Sequence, residues 1–584
     1  MSKKFSTKTK IILFFIFFVS LILRFYKITS IPDSFDGDEA AFGYYGYSLG
    51  KEGTDEYGKK FPIYFESIGD YKYPVYAYLT ILPVKIFGLN EFSSRFWSVF
   101  SGSLLIIVVF SLAFLIWENE NIALFSSFSL AISPWHILFS RGTYEANLAV
   151  FFVVTGFLFL ILYIKKETNI SKLIISLAFF LLAIYTYSAQ RAFICLMLFF
   201  FVIFLWREKH KKRKIITCIS LVFILIVFIS SFPWQSRARA ESIGIFRVER
   251  KYLIDQDIQD DGIAFSGKGS LLITRVFHNK YNYLVLDFLS RYFSHFDPNF
   301  LFVYGDKLRP ENSIPSFGLL YLIEAPFLTL GLLNLTKRKS TFGFFPLIWF
   351  FLGPVPSSLT IETPNAIRSL LTVPGIVMIL GVGLESFFSS IKKLRLQIIV
   401  FLVILTAYIG NFSFGLHQYL VHKFYHQPWY TDYGVKEMVE ETTKLVPKYK
   451  AVVIPQDPYI FFLFYNKILP SQFLKTAKFT PREQKQWGRV ERFDKFVFNM
   501  PYKCPKIGKL NVLYVCTGTE IPINSRLLNL IRFKDGVPAF SLIEFYPLSQ
   551  VPPIKPILPQ GLNYMVESDS SNDGLLPDSW PTFW

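Results

Sequence analysis

Charge is scarce in this chain. Of its 584 residues, Asp, Glu, Lys and Arg make up 18%, against 52% hydrophobic residues. A soluble globule carries about 25% charged residues, so this balance excludes an ordinary soluble domain. The four cysteines decide little. Cys195 and Cys218 fall in apolar runs and read as small buried residues. Cys504 and Cys516 lie toward the C-terminus, where a disulfide is compatible with the pattern but not demanded by it. No internal repeat is present, which removes a solenoid reading. The first apolar run, 11–23, lacks a small-residue cleavage site and leads into Arg24-Phe25-Tyr26-Lys27, so it does not read as a removable signal.

What is abundant is apolar and aromatic. Phe occurs 66 times and aromatics reach 18%, with a mean hydropathy of +0.37. Uncharged runs such as 11–23, 215–232 and 398–414 can each cross roughly 30 Å of hydrocarbon as a helix. The expected fold class is a polytopic α-helical membrane protein. The net charge of +18 is distributed in clusters between spans: Lys3, Lys4, Lys8 and Lys10; Lys165 and Lys166; 207–214; Lys337-Arg338-Lys339; and Lys392, Lys393 and Arg395. About eleven spans put every cluster on the cytoplasmic side, with the N-terminus inside and the C-terminus outside. They are 11–27, 92–116, 122–140, 144–164, 171–188, 191–206, 214–232, 315–335, 341–358, 365–388 and 396–414. Topology accounts for the 207–214 run, so no nucleic-acid partner is expected.

This topology predicts a membrane domain over 1–414 with two outer loops, 28–91 and 233–314. The first loop has room for interfacial helices over 40–50 and 75–88. Beyond it, 433–444 reads as a helix and 451–454, 511–516 and 540–545 read as strands, giving a small α/β extracytoplasmic domain over 415–550. A Pro-rich tail spans 551–584.

The first outer loop holds three acidic clusters: Asp36-Gly37-Asp38-Glu39, Asp55-Glu56 and Asp70-Tyr71-Lys72-Tyr73-Pro74. Ionisable groups beside a span are costly and are usually kept for function. A carboxylate such as Asp38 can accept a proton from a hydroxyl or hold a divalent cation. Lys72 is a counter-charge for an anion. Arg141, followed by Glu145, Arg191 and Arg368 each stand at an outer helix end, against the positive-inside trend. An anion, such as a phosphate, would explain them. Plainer readings stand beside these. Asp38-Glu39 also suits a solvated turn, Arg141 a helix-end snorkel or a pair with Glu145, and Lys72 an exposed surface lysine. Arg191 and Arg368 also suit interfacial snorkelling. Asp55-Glu56 reads as loop structure, and His295 and Asp297 as a turn.

Taken together, the motifs resemble a known family. Asp38-Glu39-Ala40, Gly43-Tyr44, Gly53-Thr54-Asp55-Glu56-Tyr57-Gly58 and Asp70-Tyr71-Lys72-Tyr73-Pro74 look like the first outer loop of the GT-C membrane glycosyltransferases. The nearest branch is the bacterial relatives of protein O-mannosyltransferases and of the lipid A aminoarabinose transferase. Ser133-Pro134-Trp135-His136, Phe139-Ser140-Arg141, Glu145-Ala146-Asn147, Tyr185-Thr186-Tyr187-Ser188-Ala189-Gln190-Arg191, His295-Phe296-Asp297-Pro298 and Pro364-Asn365-Ala366-Ile367-Arg368 resemble later blocks. The resemblance covers roughly the first 415 residues. It departs at Lys72-Tyr73-Pro74, where the family often has Lys-Pro-Pro.

The resemblance implies a hexosyl- or pentosyltransferase using a polyprenyl-phosphate sugar donor on the outer face. The acceptor hydroxyl, of a protein, lipid or glycan, attacks with inversion. Asp38 would be the general base with Glu39 in support, while Lys72, Arg141, Arg191 and Arg368 would take the donor phosphate. Asp70, Tyr71, Glu145, His295 and Asp297 are candidate substrate contacts, and a divalent Mg or Mn at Asp38 stays open. An oligosaccharide ligase or polymerase and a polytopic transporter are the alternatives.

Overall fold

A computed structural model gives the architecture. It describes residues 5–547, apart from 68–69, 167–168, 206–243 (save 219, 222, 224 and 226), 248–250, 265–270, 336, 338–339, 341, 427–431, 456–457, 481–488, 501–502 and 519. Most of the expected span 214–232, Cys218, the 207–214 run and the Pro-rich tail therefore lie outside the described residues. The chain forms two compact units. The larger contains 71–433 with the first 65 residues and 463–470; the smaller contains 434–462 and the residues from 471, with 66–70.

The larger unit is helical. Helix α1 covers Thr7–Phe25, α2 Gly37–Glu52, α3 Pro74–Phe87, α4 Glu91–Trp117, α5 Glu120–Ile132, α6 Pro134–Ser140 and α7 Glu145–Lys166. Among the described residues, four helices are long and apolar enough to cross a membrane: Glu91–Trp117, Glu145–Lys165, Leu370–Ser390 and Leu394–His422. The pair α5 and α6 makes a fifth if counted as one span, bent by 56°. The bend has a local cause: Pro134 lacks an amide proton and its ring clashes with the preceding turn. Ser133 then accepts from the His136 amide at 3.3 Å and restarts the helix. The expected spans 171–188, 191–206 and 341–358 fall on the shorter apolar helices Ile170–Ile184, Ala189–Ile203 and Phe345–Ser358.

Small residues set the packing between helices. A Cβ on Gly383 would stand 1.9 Å from the Phe327 carbonyl oxygen, and one on Gly381 would stand 2.2 Å from Ser126 Oγ. Only hydrogen fits at such crossings, which lets backbones approach closely inside a bilayer. The outer side of Leu394–His417 is the reverse case: Leu394, Ile399 and Val403 are all exposed, as suits a lipid-facing helix.

The acidic loop is more helical than its composition suggests. Helix α2 begins at Gly37 rather than near residue 40, because Asp36 is its N-cap and accepts from the Glu39 amide at 2.8 Å. Asp38 and Glu39 thus sit in the first turn, where the helix dipole favours carboxylates. Gly53, with φ 68°, ends the helix in the left-handed conformation. Asp55 makes a turn, accepting from the Tyr57 and Lys59 amides at 3.0 and 2.8 Å.

Among the described residues, the smaller unit is built on a seven-stranded sheet. Its order is Lys478–Phe479, Val490–Phe493, Phe496–Met500, Ala451–Pro455, Val512–Thr517, Pro538–Phe545 and Ser525–Arg532. Ala451–Pro455 pairs in parallel with both of its neighbours, and the other pairings are antiparallel. Val512, Tyr514, Cys516, Ile543 and Phe545 form one core face, and Cys504 is disulfide-bonded to Cys516. The amphipathic helix Val435–Leu445, which starts after Gly434 at φ 84°, buries Val435, Met438, Val439 and Thr442.

Candidate active site

The first turn of α2 delivers two neighbouring carboxylates to different environments. Glu39 is buried and forms a fork with Arg95 of α4, with Oε1 and Oε2 accepting from Nε and Nη2 at 2.8 and 2.7 Å. Oε1 also accepts from the Thr143 amide at 2.7 Å and its hydroxyl at 3.0 Å. Arg95, fully buried, donates further to the carbonyls of Ile28, Pro32 and Ser34. Glu39 is therefore a strut joining α2, α4 and the 28–34 segment, its acceptor capacity largely used.

Asp38 is the opposite case. Its side chain is 48% exposed, and Oδ2 accepts from Lys72 Nζ at 2.7 Å, while Lys72 itself is buried. Its second oxygen has no partner among the described residues. Two more carboxylates stand close. Burial holds Asp36 well above the usual carboxylate range, reinforced by Glu39 and Asp38. Asp432, which accepts from the Gly37 amide at 3.2 Å, is pushed by burial up to about 7.

A cavity of about 260 Å³ opens on this turn. Asp36, Asp38, Glu39 and Glu145 line it, and so do Arg309, Arg368 and Lys423. The basic residues are held in a lattice. Glu362 takes a fork from Arg309, with Nη2 to Oε1 at 2.8 Å and Nε to Oε2 at 3.2 Å, and it accepts from Arg368 Nη2 at 3.2 Å. Arg309 also meets Glu311 at 3.3 Å, and Arg368 Nη1 donates to Thr360 Oγ1 at 2.9 Å. Lys423 Nζ donates to the Glu311 and Ser313 carbonyls, both at 2.8 Å. Burial lowers Lys423 to about 8, partly offset by Glu311. Asp306, buried and pushed up to about 6, accepts from the Ala366 and Arg309 amides at 2.9 and 3.0 Å and so ties the two arginine-bearing loops together. Fixed guanidinium and ammonium donors beside a partly free carboxylate can bind an anion and take a proton in one space.

The sequence-predicted residues divide. Asp38, Glu39, Glu145 and Arg368 share the cavity, and Lys72 joins them through Asp38. Arg141 is not on the lining. It donates to the carbonyls of Leu23, Arg24, Tyr26 and Ile31 and so caps the C-terminal end of α1. Arg191 lies over the Tyr73 ring at 4.4 Å and donates from Nε to the Ile184 carbonyl at 3.1 Å. Asp70 and Tyr71 fall in the short strand Asp70–Lys72, and Tyr71 is off the lining. His295 is also off it, bonded to Ser357 Oγ at 2.8 Å, and Asp297 accepts from the Asn299 amide at 2.8 Å. Sequence reasoning passed over Arg309, Glu362, Lys423 and Arg95, and gave Asp36 no role beyond its acidic cluster. The charged string Arg309-Pro310-Glu311-Asn312 in an outer loop was the available signal.

A divalent ion at Asp38 would share that carboxylate with Lys72. Among the described residues, no three His, Cys, Asp or Glu side chains are grouped to hold a metal. The donor set does not fit a resident ion, and no step is routed through one.

Comparison with known proteins adds the following. Residues 72–234 match the model of a family described as dolichyl-phosphate-mannose-protein mannosyltransferase. The match contains Lys72, Arg141, Glu145 and Arg191 and excludes Asp38, Arg309 and Arg368. No curated protein matches the chain. Among solved structures, the chain is similar to the archaeal oligosaccharyltransferase AglB from Archaeoglobus fulgidus in complex with an inhibitory peptide and a dolichol-phosphate. The identity is 13%, the TM-score is 0.47, and 78% of this chain and 63% of that one are covered. It is similar to ArnT from Cupriavidus metallidurans bound to undecaprenyl phosphate, at 13% identity and TM-score 0.45, over 79% and 84% of the two chains. It is also similar to the S. cerevisiae protein O-mannosyltransferase complex bound to the sugar donor, at 17% identity and TM-score 0.31, over 39% and 33%. The chain thus spans about two thirds of the archaeal protein's length or less. The description of the model matched over 72–234 names a protein mannosyltransferase, the branch whose relatives the motifs of this sequence resemble.

Proposed function

We propose that this chain is a polytopic membrane glycosyltransferase that moves a sugar from a polyprenyl-phosphate donor to an acceptor hydroxyl on the outer face, with inversion. The observation that carries the reading is one cavity shared by Asp38, with a carboxylate oxygen unpartnered among the described residues, and the basic residues Arg309, Arg368 and Lys423. Asp38 accepts the proton of the acceptor hydroxyl as its oxygen bonds to the anomeric carbon. The bond from that carbon to phosphate breaks, and polyprenyl phosphate departs with the electron pair. Arg368, Arg309 and Lys423 bind the phosphate and neutralise its growing charge. Lys72 fixes Asp38, and Glu39 holds the α2 turn through Arg95. The phosphate roles expected of Arg141 and Arg191 pass in this reading to Arg309 and Lys423. Glu145 contacts substrate at the cavity wall. The reading keeps eleven spans, with the N-terminus cytoplasmic and the sheet unit extracytoplasmic.

Purified protein incubated with radiolabelled polyprenyl-phosphate sugars and an acceptor panel tests this reading. Wild type transfers sugar, and Asp38→Asn abolishes transfer while remaining folded in detergent. Near-normal turnover by that variant would sink the role of Asp38. Transfer of a preassembled glycan rather than a single sugar would assign an oligosaccharide ligase, and vesicle flux without transfer would assign a transporter.

A further inference from the structure

The helix Lys280–Ser294 buries none of its residues, so apolar packing does not explain its polar contacts. Tyr292 donates to the Phe351 carbonyl at 2.9 Å, and Arg291 reaches a second backbone segment. Asp287 Oδ1 accepts from Arg291 Nε at 2.7 Å, an i,i+4 pair that orients the guanidinium. Arg291 Nη1 then donates to the Thr360 carbonyl at 3.2 Å and to that of Ile361. One turn later, His295 Nδ1 meets the Arg291 carbonyl at 2.9 Å and Nε2 meets Ser357 Oγ at 2.8 Å. A carbonyl only accepts, so Nδ1 carries the proton and Nε2 accepts from the serine hydroxyl.

The gripped segment leads straight to the basic cluster. The Ser357 carbonyl accepts from the Thr360 amide at 2.9 Å and from its hydroxyl at 2.7 Å. The same hydroxyl oxygen accepts from Arg368 Nη1 at 2.9 Å. Two residues on, Glu362 holds both Arg368 and Arg309. We propose that Arg291 and His295 are positioning residues that clamp segment 357–361 from outside the cavity and so set the placement of Arg368 and Arg309 for a lipid-linked phosphate. The clamp rests on the phosphate role proposed above. It gives the Ser294-His295-Phe296 stretch a task although His295 never reaches the cavity. Burial lowers His295 to about 4, which keeps the neutral imidazole that this bonding needs.

The experiment measures undecaprenyl phosphate binding to the full-length protein in detergent, with unfolding followed in parallel. Residues acting through a supporting network shift binding by about 0.5–2 kcal/mol, roughly two- to thirtyfold in Kd. Arg291→Ala and Ser357→Ala are expected to weaken binding within that range, with Arg291→Lys restoring part of it. Ser357→Ala removes a single hydroxyl, so it reports on the clamp even if Arg291→Ala folds poorly. In an Arg368→Ala background the Arg291→Ala penalty should shrink by about threefold or more, because the two act in series. Unchanged Kd in both single variants overturns the clamp, as does a full Arg291→Ala penalty without Arg368. Wild type that fails to bind undecaprenyl phosphate overturns the phosphate reading and the clamp together, a result distinct from wild-type binding that the variants leave unaltered.

Discussion

Glu39→Gln and Asp38→Asn change adjacent carboxylates by the same atom, yet they should act on different properties. Arg95 is fully buried and takes its only carboxylate contact in the described residues from the Glu39 fork at 2.7 and 2.8 Å. A glutamine keeps one oxygen but turns an amide donor toward a guanidinium that only donates. The buried positive charge is then left without its counter-ion, and breaking such a pair costs about 3–5 kcal/mol. Asp38 differs because its side chain is 48% exposed. Water reaches that carboxylate, and asparagine still offers the buried Lys72 an oxygen acceptor, so loss of the charge should cost less than at Glu39. Unfolding of both variants by SDS titration in detergent micelles measures the contrast. Glu39→Gln should be several-fold more destabilised than Asp38→Asn, whereas transfer is lost in Asp38→Asn. Equal stability losses, or a Glu39→Gln cost under about 1 kcal/mol, would refute the strut assignment.

Arg368→Ala and Arg309→Ala should each weaken undecaprenyl phosphate binding by roughly ten- to a hundredfold, the worth of a charge-assisted hydrogen bond; titration by tryptophan fluorescence reads this. Lys423, lowered to about 8, is charged below that pH and neutral above it. Affinity for the lipid phosphate should therefore fall as pH rises through about 8, and Lys423→Met should remove that limb from the profile. Arg141→Ala leaves the α1 carbonyls of Leu23 and Tyr26 without their donor. It should lower the unfolding midpoint while the Kd for undecaprenyl phosphate stays within about twofold; a large loss of affinity would return Arg141 to the phosphate.

How much was readable beforehand depends on the range of the interaction involved. Helix starts and breaks have local causes, Asp36 as N-cap, Pro134 at the 56° bend and Gly434 ahead of Val435–Leu445, yet the sequence reading placed only the approximate helices, with 122–140 as one unbroken span. Strand runs such as Val512–Thr517 show in their apolar stretches. The start of α2 was misjudged because an Asp-Gly-Asp-Glu string reads as a turn until the Asp36 cap is seen to draw it into the helix. Arg141 was set with the phosphate ligands because a basic residue at an outer helix end looks the same in sequence whether it meets an anion or a set of carbonyls.

By itself the sequence determined the class: scarce charge, 66 phenylalanines and long apolar runs leave a membrane solvent as the place where this surface is stable. It also marked Asp38, Lys72 and Arg368, since ionisable groups are costly in such a chain and stand out. Which partner each one meets follows only from the folded arrangement. Glu39 and Arg95 are 56 residues apart, and Arg309 and Glu362 are 53 apart. Whether a carboxylate is spent on an internal guanidinium or left facing a cavity depends on such long-range pairing, which neighbouring residues in the chain do not encode.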